Sequence, residues 1–126
     1  MWHKLIGFAV AGALGTLARY ALAGIVQQNT NPGFPWGTWA VNAIGCFAFS
    51  AIWSVTQERL MMSGETRTII LVGFLGAFTT FSAFIFETSE FIEHGQWLMA
   101  GLNVIGQSAV GLAAFILGAF FVRAIL

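Results

Sequence analysis

Four long apolar stretches take up most of this 126-residue chain, and they constrain its fold more than any other feature. A bilayer core of roughly 30 Å is crossed by about 20 helical residues. Only Arg19 brings a charge into the stretches, each of which is long enough for one crossing. They predict an all-α membrane protein, one domain of four transmembrane helices. The predicted spans are Leu5–Val26, Trp36–Thr56, Thr68–Phe86 and Trp97–Val122.

The charge content supports lipid as the solvent for most of the surface. Only 8% of the residues are charged and the formal net charge is zero, whereas a soluble domain carries about 25% charged residues. A nucleic-acid partner is excluded because there is no basic patch to meet phosphates. The single cysteine, Cys46, excludes a disulfide framework and a thiolate metal cluster.

The distribution of Lys and Arg predicts the orientation of the chain. Four spans place both termini on one side of the membrane, and four basic residues fall on that side: Lys4, Arg59, Arg67 and Arg123. The loops on the other side carry none. The positive-inside rule therefore predicts cytoplasmic termini. Four tryptophans at the predicted span starts are typical of an interfacial aromatic belt, namely Trp2, Trp36, Trp39 and Trp97.

Polar side chains within the predicted spans each allow two interpretations, because an unpaired polar group in lipid is costly. Arg19 either reaches the far interface or lines a vestibule for an anion. Asn42 either makes an interhelical hydrogen bond or donates to an anion. Asn103, Gln107 and Ser108 form a polar stripe on the fourth span. Such a stripe is harder to explain by helix packing than a single polar residue is.

The third predicted span contains a combination of residues that weakens a helix near its middle. Gly73 and Gly76 are followed by Thr79, Thr80 and Ser82. Unwound backbone at membrane depth is tolerated only where it is buried in protein or lines a wet cavity. Its freed carbonyl groups can bind a cation, as they do in transporters with broken helices. We therefore expect a break in this helix.

Four phenylalanines surround the expected break. Phe74, Phe78, Phe81 and Phe84 are spaced 4, 3 and 3 residues apart, which predicts a single helical face. Such a stripe ordinarily contacts lipid or packs against a neighbouring helix. Its coincidence with threonines, glycines and an expected break favours a functional role instead.

Three sequence motifs then identify a family. They are GALGTLARY (Gly12–Tyr20), GTWAVNAIGCF (Gly37–Phe47) and GAFTTFSAF (Gly76–Phe84). At these residues the chain resembles the Fluc (CrcB) family of fluoride channels, and length, span number and motif order agree over essentially the whole chain. The resemblance implies a fluoride-selective channel in the bacterial plasma membrane. Such a channel lets cytoplasmic fluoride leave passively and gives fluoride resistance.

The architecture implied by the resemblance is a homodimer of two antiparallel copies with two pores along the subunit interface. The third helix of such channels breaks at mid-membrane. A central sodium ion is held there by backbone carbonyls, which correspond to Gly76 and Thr79 in this sequence. The expected partners are the fluoride ion, a second copy of the chain and the lipid bilayer.

The pore residues implied by the resemblance combine ring edges with weak hydrogen-bond donors. An aromatic ring is positive at its edge, and several loose donors can replace the water around an anion without trapping it. The family usually has Tyr and Ser on the fourth helix, where this chain has Asn103 and Gln107. The full set is Phe81, Phe84, Asn42, Thr80, Ser82, Asn103, Gln107 and Arg19.

Three other functions are compatible with a small four-helix membrane protein. A proton-coupled multidrug exporter needs a membrane-embedded carboxylate, but the first span carries Arg19, and Glu87, Glu90 and Glu93 lie where the third span ends. A non-transporting assembly subunit leaves the expected break and the polar stripe unexplained. An enzyme is the weakest alternative, since the chain has no Asp and both histidines are peripheral.

Overall fold

The computed structural model describes residues 2–59 and 62–126. Its regular structure is helical throughout these ranges. Three of the helices are long: α1 (Trp2–Gln28), α2 (Trp36–Arg59) and α6 (Trp97–Ile125). Between α2 and α6 lie four shorter elements: α3 (Gly64–Thr68), a π-helix (Ile69–Leu75), α4 (Gly76–Phe78) and α5 (Phe81–Glu93).

Four segments are long and apolar enough to cross a bilayer: α1, the Trp36–Gln57 part of α2, Gly64–Glu93 and α6. The prediction of an all-helical chain with four long apolar helices, the third of them interrupted, is confirmed. The third segment extends to Glu93, beyond the predicted end at Phe86. Charged residues do not end a helix at an interface; here the turn comes at Gly95, whose φ of 70° is the left-handed conformation that glycine adopts readily.

Small residues allow the helices to approach closely at two interfaces. α2 packs along α6, and α1 packs against the π-helix and α4. A Cβ on Gly118 would collide with the Phe47 carbonyl oxygen, and a Cβ on Gly15 would collide with the Phe74 carbonyl oxygen. Backbone atoms cannot move aside as a flexible side chain can. Both glycines are therefore required by the packing, as small residues at membrane helix interfaces commonly are.

The contact at Gly15 makes a testable prediction about stability. Replacing Gly15 with alanine is expected to lower the free energy of unfolding by about 1–3 kcal/mol, the usual cost of overpacking a tight interface. Gly24→Ala is the matched control on the same helix, because no described atom of another helix lies within 4 Å of the added methyl group. The measurement is reversible unfolding in mixed micelles. Equal stability of the two variants would contradict the packing at Gly15.

The four phenylalanines of the third segment do not lie on one continuous helical face, as their spacing predicts, because the helix is interrupted between Phe78 and Phe81. They form two pairs instead. Phe74 and Phe78 stack with ring centroids 6.0 Å apart. Phe81 and Phe84 are tilted by 50° with centroids 5.7 Å apart. Phe78 belongs to the buried core with Val41, Leu71 and Leu75.

Candidate functional site

The interruption of the third segment is held open by the side chain of Asn42 on α2. Thr79 and Thr80 have extended backbone, with ψ of 160° and 119°. The Thr80 amide donates to Asn42 Oδ1 over 2.8 Å, and Asn42 Nδ2 donates back to the Thr80 carbonyl over 3.0 Å. This two-point pairing replaces the bonds that a continuous helix would make at Thr80.

A second bond caps the helix that follows the interruption. Thr80 Oγ1 accepts the Ala83 amide over 3.2 Å, which makes Thr80 the N-cap of α5. In a continuous helix the Thr80 amide would bond the Gly76 carbonyl, and the Ala83 amide would bond the Thr79 carbonyl. Both amides are bonded elsewhere. The carbonyl groups of Gly76 and Thr79 therefore lack their helical donors.

A chain of amide side chains leads from the interruption into the contact between α2, α5 and α6. Asn42 Nδ2 also donates to Gln107 Oε1, and Gln107 Nε2 donates to Asn103 Oδ1 over 3.2 Å. Asn103 Nδ2 donates to Thr88 Oγ1 over 2.9 Å. The indole of Trp39 donates to Asn103 Oδ1 over 2.7 Å. Asn103 is fully buried, with 0% of its surface exposed.

A groove of about 660 Å³ runs beside the interruption, and most of the predicted site residues line it. Apolar side chains of α2, the third segment and α6 form much of its remaining wall, including Phe49, Leu75 and Phe115. Phe81 is 74% exposed in the protomer, whereas Phe84 is buried. The predicted site residues on its wall are Asn42, Gly76, Thr79, Thr80, Phe81, Phe84 and Gln107.

Comparison with known proteins decides the family. The profile of the family described as "CrcB-like protein, Camphor Resistance (CrcB)" matches residues 6–119. The chain belongs to the CrcB family. The resemblance seen in its three motifs is confirmed.

Curated CrcB relatives match over nearly their whole length. The chain is 54% identical over 118 residues to the fluoride-specific ion channel FluC of Nitrosococcus oceani, covering 94% of each chain. It is 50% identical over 118 residues to the protein of the same name from Desulforapulum autotrophicum, again covering 94% of each. The protein of that name from Nitratidesulfovibrio vulgaris strain Miyazaki F is 48% identical over 116 residues, which cover 92% of this chain and 94% of the relative. The similarity to these relatives and the four long apolar helices indicate that the chain is a multi-pass membrane protein.

Three residues that the CrcB resemblance assigns to the pore lie away from the groove wall. Asn103 is buried behind Gln107, with which it shares a hydrogen bond. Ser82 is exposed on the first turn of α5, and its Oγ lies 3.5 Å from Thr80 Oγ1. Arg19 lines a separate cavity of about 470 Å³. Thr80 lines both the groove and this cavity, so the interruption lies between the two.

The separate cavity carries groups of both charges. Arg19 lies on its wall with Gln27 from α1 and Glu87 from α5. Thr38 on α2 donates a hydrogen bond to Glu87 Oε1. Among the described residues, the buried Glu87 Oε2 has no hydrogen-bond partner. The cavity therefore brings Arg19 and Glu87 to one wall, on which Thr80 also lies.

The roles of Thr38, Thr88 and Trp39 are not among those that the sequence predicts. Its position at a span start predicts that Trp39 belongs to the interfacial belt, but its indole nitrogen donates to a buried amide. One signal could have found this network. Trp39 and Asn42 lie three residues apart on α2, and Asn103 and Gln107 lie four apart on α6, so each pair lies on one face of its helix. Two polar faces of similar length, one on the second span and one on the fourth, indicate that their side chains bond each other.

Proposed function

We propose that this chain is a fluoride-selective channel that lets cytoplasmic fluoride leave passively across the bacterial plasma membrane. The observation that carries the proposal is the groove at the interrupted helix, whose wall combines the rings of Phe81 and Phe84, two side-chain amides and a helix N-terminus. The relatives that are named fluoride-specific ion channels support it at up to 54% identity.

The mechanism follows from the cost of removing water from a small anion. Fluoride is strongly hydrated, so a conducting path must offer a series of donors that each bind it loosely. Phe81 and Phe84 would offer positive ring edges. The N-terminus of α5 adds first-turn backbone amides and the positive end of its dipole next to Phe81. The Thr80 and Ser82 hydroxyls extend this series of donors, and Arg19 would attract the anion from the separate cavity.

A second, antiparallel copy of the chain would complete two such pores. The Gly76 and Thr79 carbonyl groups lack their helical donors beside an open groove, and lipid cannot satisfy them. A protein surface that covers the groove removes this cost. Phe81, which is 74% exposed in the protomer, would become partly buried in the process. The basic residues at the terminal side favour one orientation, so an antiparallel pair requires that insertion override this bias.

The carbonyl groups of Gly76 and Thr79 fit a sodium ion. Both lack their helical donors because Asn42 and Thr80 side chains bond the relevant amides. A hard cation prefers oxygen ligands, and carbonyls at an interrupted helix supply them. Among the described residues there is no group of three or more His, Cys, Asp or Glu that could hold a metal. When bound, sodium would add positive charge near the anion path and join the two copies.

Sodium removal tests this part of the proposal. Transfer of the purified protein into buffer in which a large organic cation replaces sodium is expected to lower both the dimer fraction and the fluoride flux. Four carbonyl dipoles, two from each copy, would repel one another when no cation lies between them. Light scattering during gel filtration measures the dimer fraction, and liposome efflux measures the flux. Unchanged values of both without sodium would argue against a structural sodium ion.

The experiment that tests the function is ion efflux from liposomes that contain the purified protein. A fluoride electrode and a chloride electrode record the two anions side by side, and protein-free liposomes give the background. Fast fluoride loss without chloride loss is the expected result. No fluoride loss from a well-folded protein would overturn the proposal, and proton-coupled uptake of a cationic drug would then test the exporter alternative.

A further inference from the structure

We propose that Trp39 is a positioning residue of this channel, which acts through Asn103 to fix the orientation of the amide chain beside the groove. The inference rests on the proposed function and adds Trp39 and Thr88, which the pore assignment does not include. Its starting point is the 2.7 Å hydrogen bond from Trp39 Nε1 to Asn103 Oδ1. This bond links an aromatic cluster at the start of α2 to a fully buried amide on α6.

The indole fixes which end of the Asn103 amide faces α2. An indole nitrogen can only donate, so the atom of Asn103 that meets it must be the oxygen. The amide nitrogen of Asn103 then faces Thr88 Oγ1, which can accept because its own hydrogen is donated to the Phe84 carbonyl over 2.8 Å. Every hydrogen-bonding group around Asn103 thus requires the same orientation.

This orientation is transmitted to Gln107 and Asn42. Asn103 Oδ1 accepts from Gln107 Nε2, so Gln107 directs its oxygen toward Asn42. Asn42 donates to that oxygen and accepts from the Thr80 amide. The backbone of Thr80 requires this same arrangement of the Asn42 side chain. The chain of three amides therefore has a single direction, set by Trp39 at one end and by the helix interruption at the other.

The direction determines what Gln107 presents to the groove. Gln107 Nε2 carries two hydrogens, one of which is donated to Asn103. Among the described residues the other hydrogen has no acceptor, and Gln107 lies on the groove wall. Both hydrogens of Asn42 Nδ2 are donated, to Thr80 and to Gln107. Of the three linked amides, Gln107 is therefore the one with a hydrogen available to an anion, and a reversed Gln107 would present a repelling oxygen.

The ring of Trp39 is held firmly enough for this role. A Cβ on Gly106 would lie 3.0 Å from Trp39 Cζ2, so the indole lies directly over the α6 backbone. Its ring centroid is 5.4 Å from that of Phe34 and 5.6 Å from that of Trp36. Trp36 belongs to the same cluster but is 39% exposed, which makes it a matched comparison for an ordinary belt tryptophan.

Fluoride efflux from liposomes tests the role with conservative variants. Trp39→Phe removes the donor and keeps an aromatic ring, and it is expected to slow fluoride efflux about tenfold, equivalent to about 1.4 kcal/mol. Trp36→Phe is expected to leave the efflux unchanged. Because Trp39 acts through Asn103, Trp39→Phe combined with Asn103→Leu should be no slower than Asn103→Leu alone. Equal rates for the two tryptophan variants, or additive losses in the double variant, would overturn the inference.

A spectroscopic measurement tests the bond itself without reliance on flux. In protein labelled with ¹⁵N-tryptophan, each indole resonance is assigned by its loss in the corresponding Trp→Phe variant. The Trp39 indole hydrogen is expected to exchange with solvent about tenfold more slowly than that of Trp36, as one net hydrogen bond allows. Asn103→Leu should remove this protection at Trp39 only. Equal exchange at both indoles would overturn the inference, whereas a protected Trp39 in a protein that passes no fluoride would overturn the proposed function.

Discussion

Replacing Phe81 with isoleucine is expected to abolish fluoride efflux from liposomes while the protein remains folded. The ring of Phe81 lies on the groove wall and is 74% exposed in the protomer, so its loss leaves no cavity in the protomer core. Isoleucine is of comparable bulk but offers no positive ring edge. We expect the rate to fall at least about a hundredfold, equivalent to about 2.7 kcal/mol.

Phe86→Ile is the matched control for this variant. Phe86 lies on the same helix and is 62% exposed, but it is not on the groove wall. Its replacement should leave the efflux within about twofold of the original rate, as expected of a surface change worth under about 0.5 kcal/mol. Normal flux through a folded, dimeric Phe81→Ile protein would remove this ring from the conduction path. Equal losses in both variants would indicate a shared effect on assembly.

The fold was largely predictable because lipid imposes simple requirements on sequence. Spans of about 20 apolar residues must be helical, since no other open structure satisfies its backbone in a bilayer. The ends were less predictable. Polar residues such as Gln27 and Gln28 continue α1 past its apolar part, and α5 continues through Glu90. At a membrane interface, helical hydrogen bonds continue into the polar residues beyond the apolar part of a span.

The interruption was predictable in kind but not in detail. Glycines and threonines weaken a helix wherever they cluster, yet Gly73 lies inside the continuous π-helix and the chain opens at Thr79 and Thr80. What selects this position is a side chain on another helix. Asn42 supplies both a donor and an acceptor at the height of Thr80, and no property of the third segment alone contains that information.

The candidate site shows the same division between local and tertiary information. Residue types indicated that Phe81, Asn42 and Gln107 were candidates. The hydrogen bond from Trp39 to Asn103 was not predictable, because a tryptophan at a span start is ordinarily interfacial. The direction of each amide also depends on partners up to 65 positions away in sequence. Such pairings are fixed by how α2 and α6 pack, which depends on close contacts such as that at Gly118.

Asn42→Ala is expected to cause the second large effect, on both flux and stability. The change removes three hydrogen bonds at once and leaves the Thr80 amide, the Thr80 carbonyl and Gln107 Oε1 without this partner. Each polar group left unsatisfied in a buried position costs about 1–3 kcal/mol. We expect the free energy of unfolding to fall by at least about 2 kcal/mol and the fluoride efflux to fall at least about a hundredfold.

Asn29→Ala controls for the loss of an asparagine at an exposed position, where the side chain donates to the Ile25 carbonyl over 2.7 Å. It should change stability by under about 0.5 kcal/mol and leave flux unaltered. The combination of readouts separates two roles of Asn42. If flux and stability both fall, Asn42 holds the interruption open. If flux alone falls, Asn42 acts as a donor to the anion. Unchanged flux and stability would show that the pairing with Thr80 does not support the pore. The interruption would then persist without Asn42, which in the described part of the chain is the only side chain that bonds both the amide and the carbonyl of Thr80.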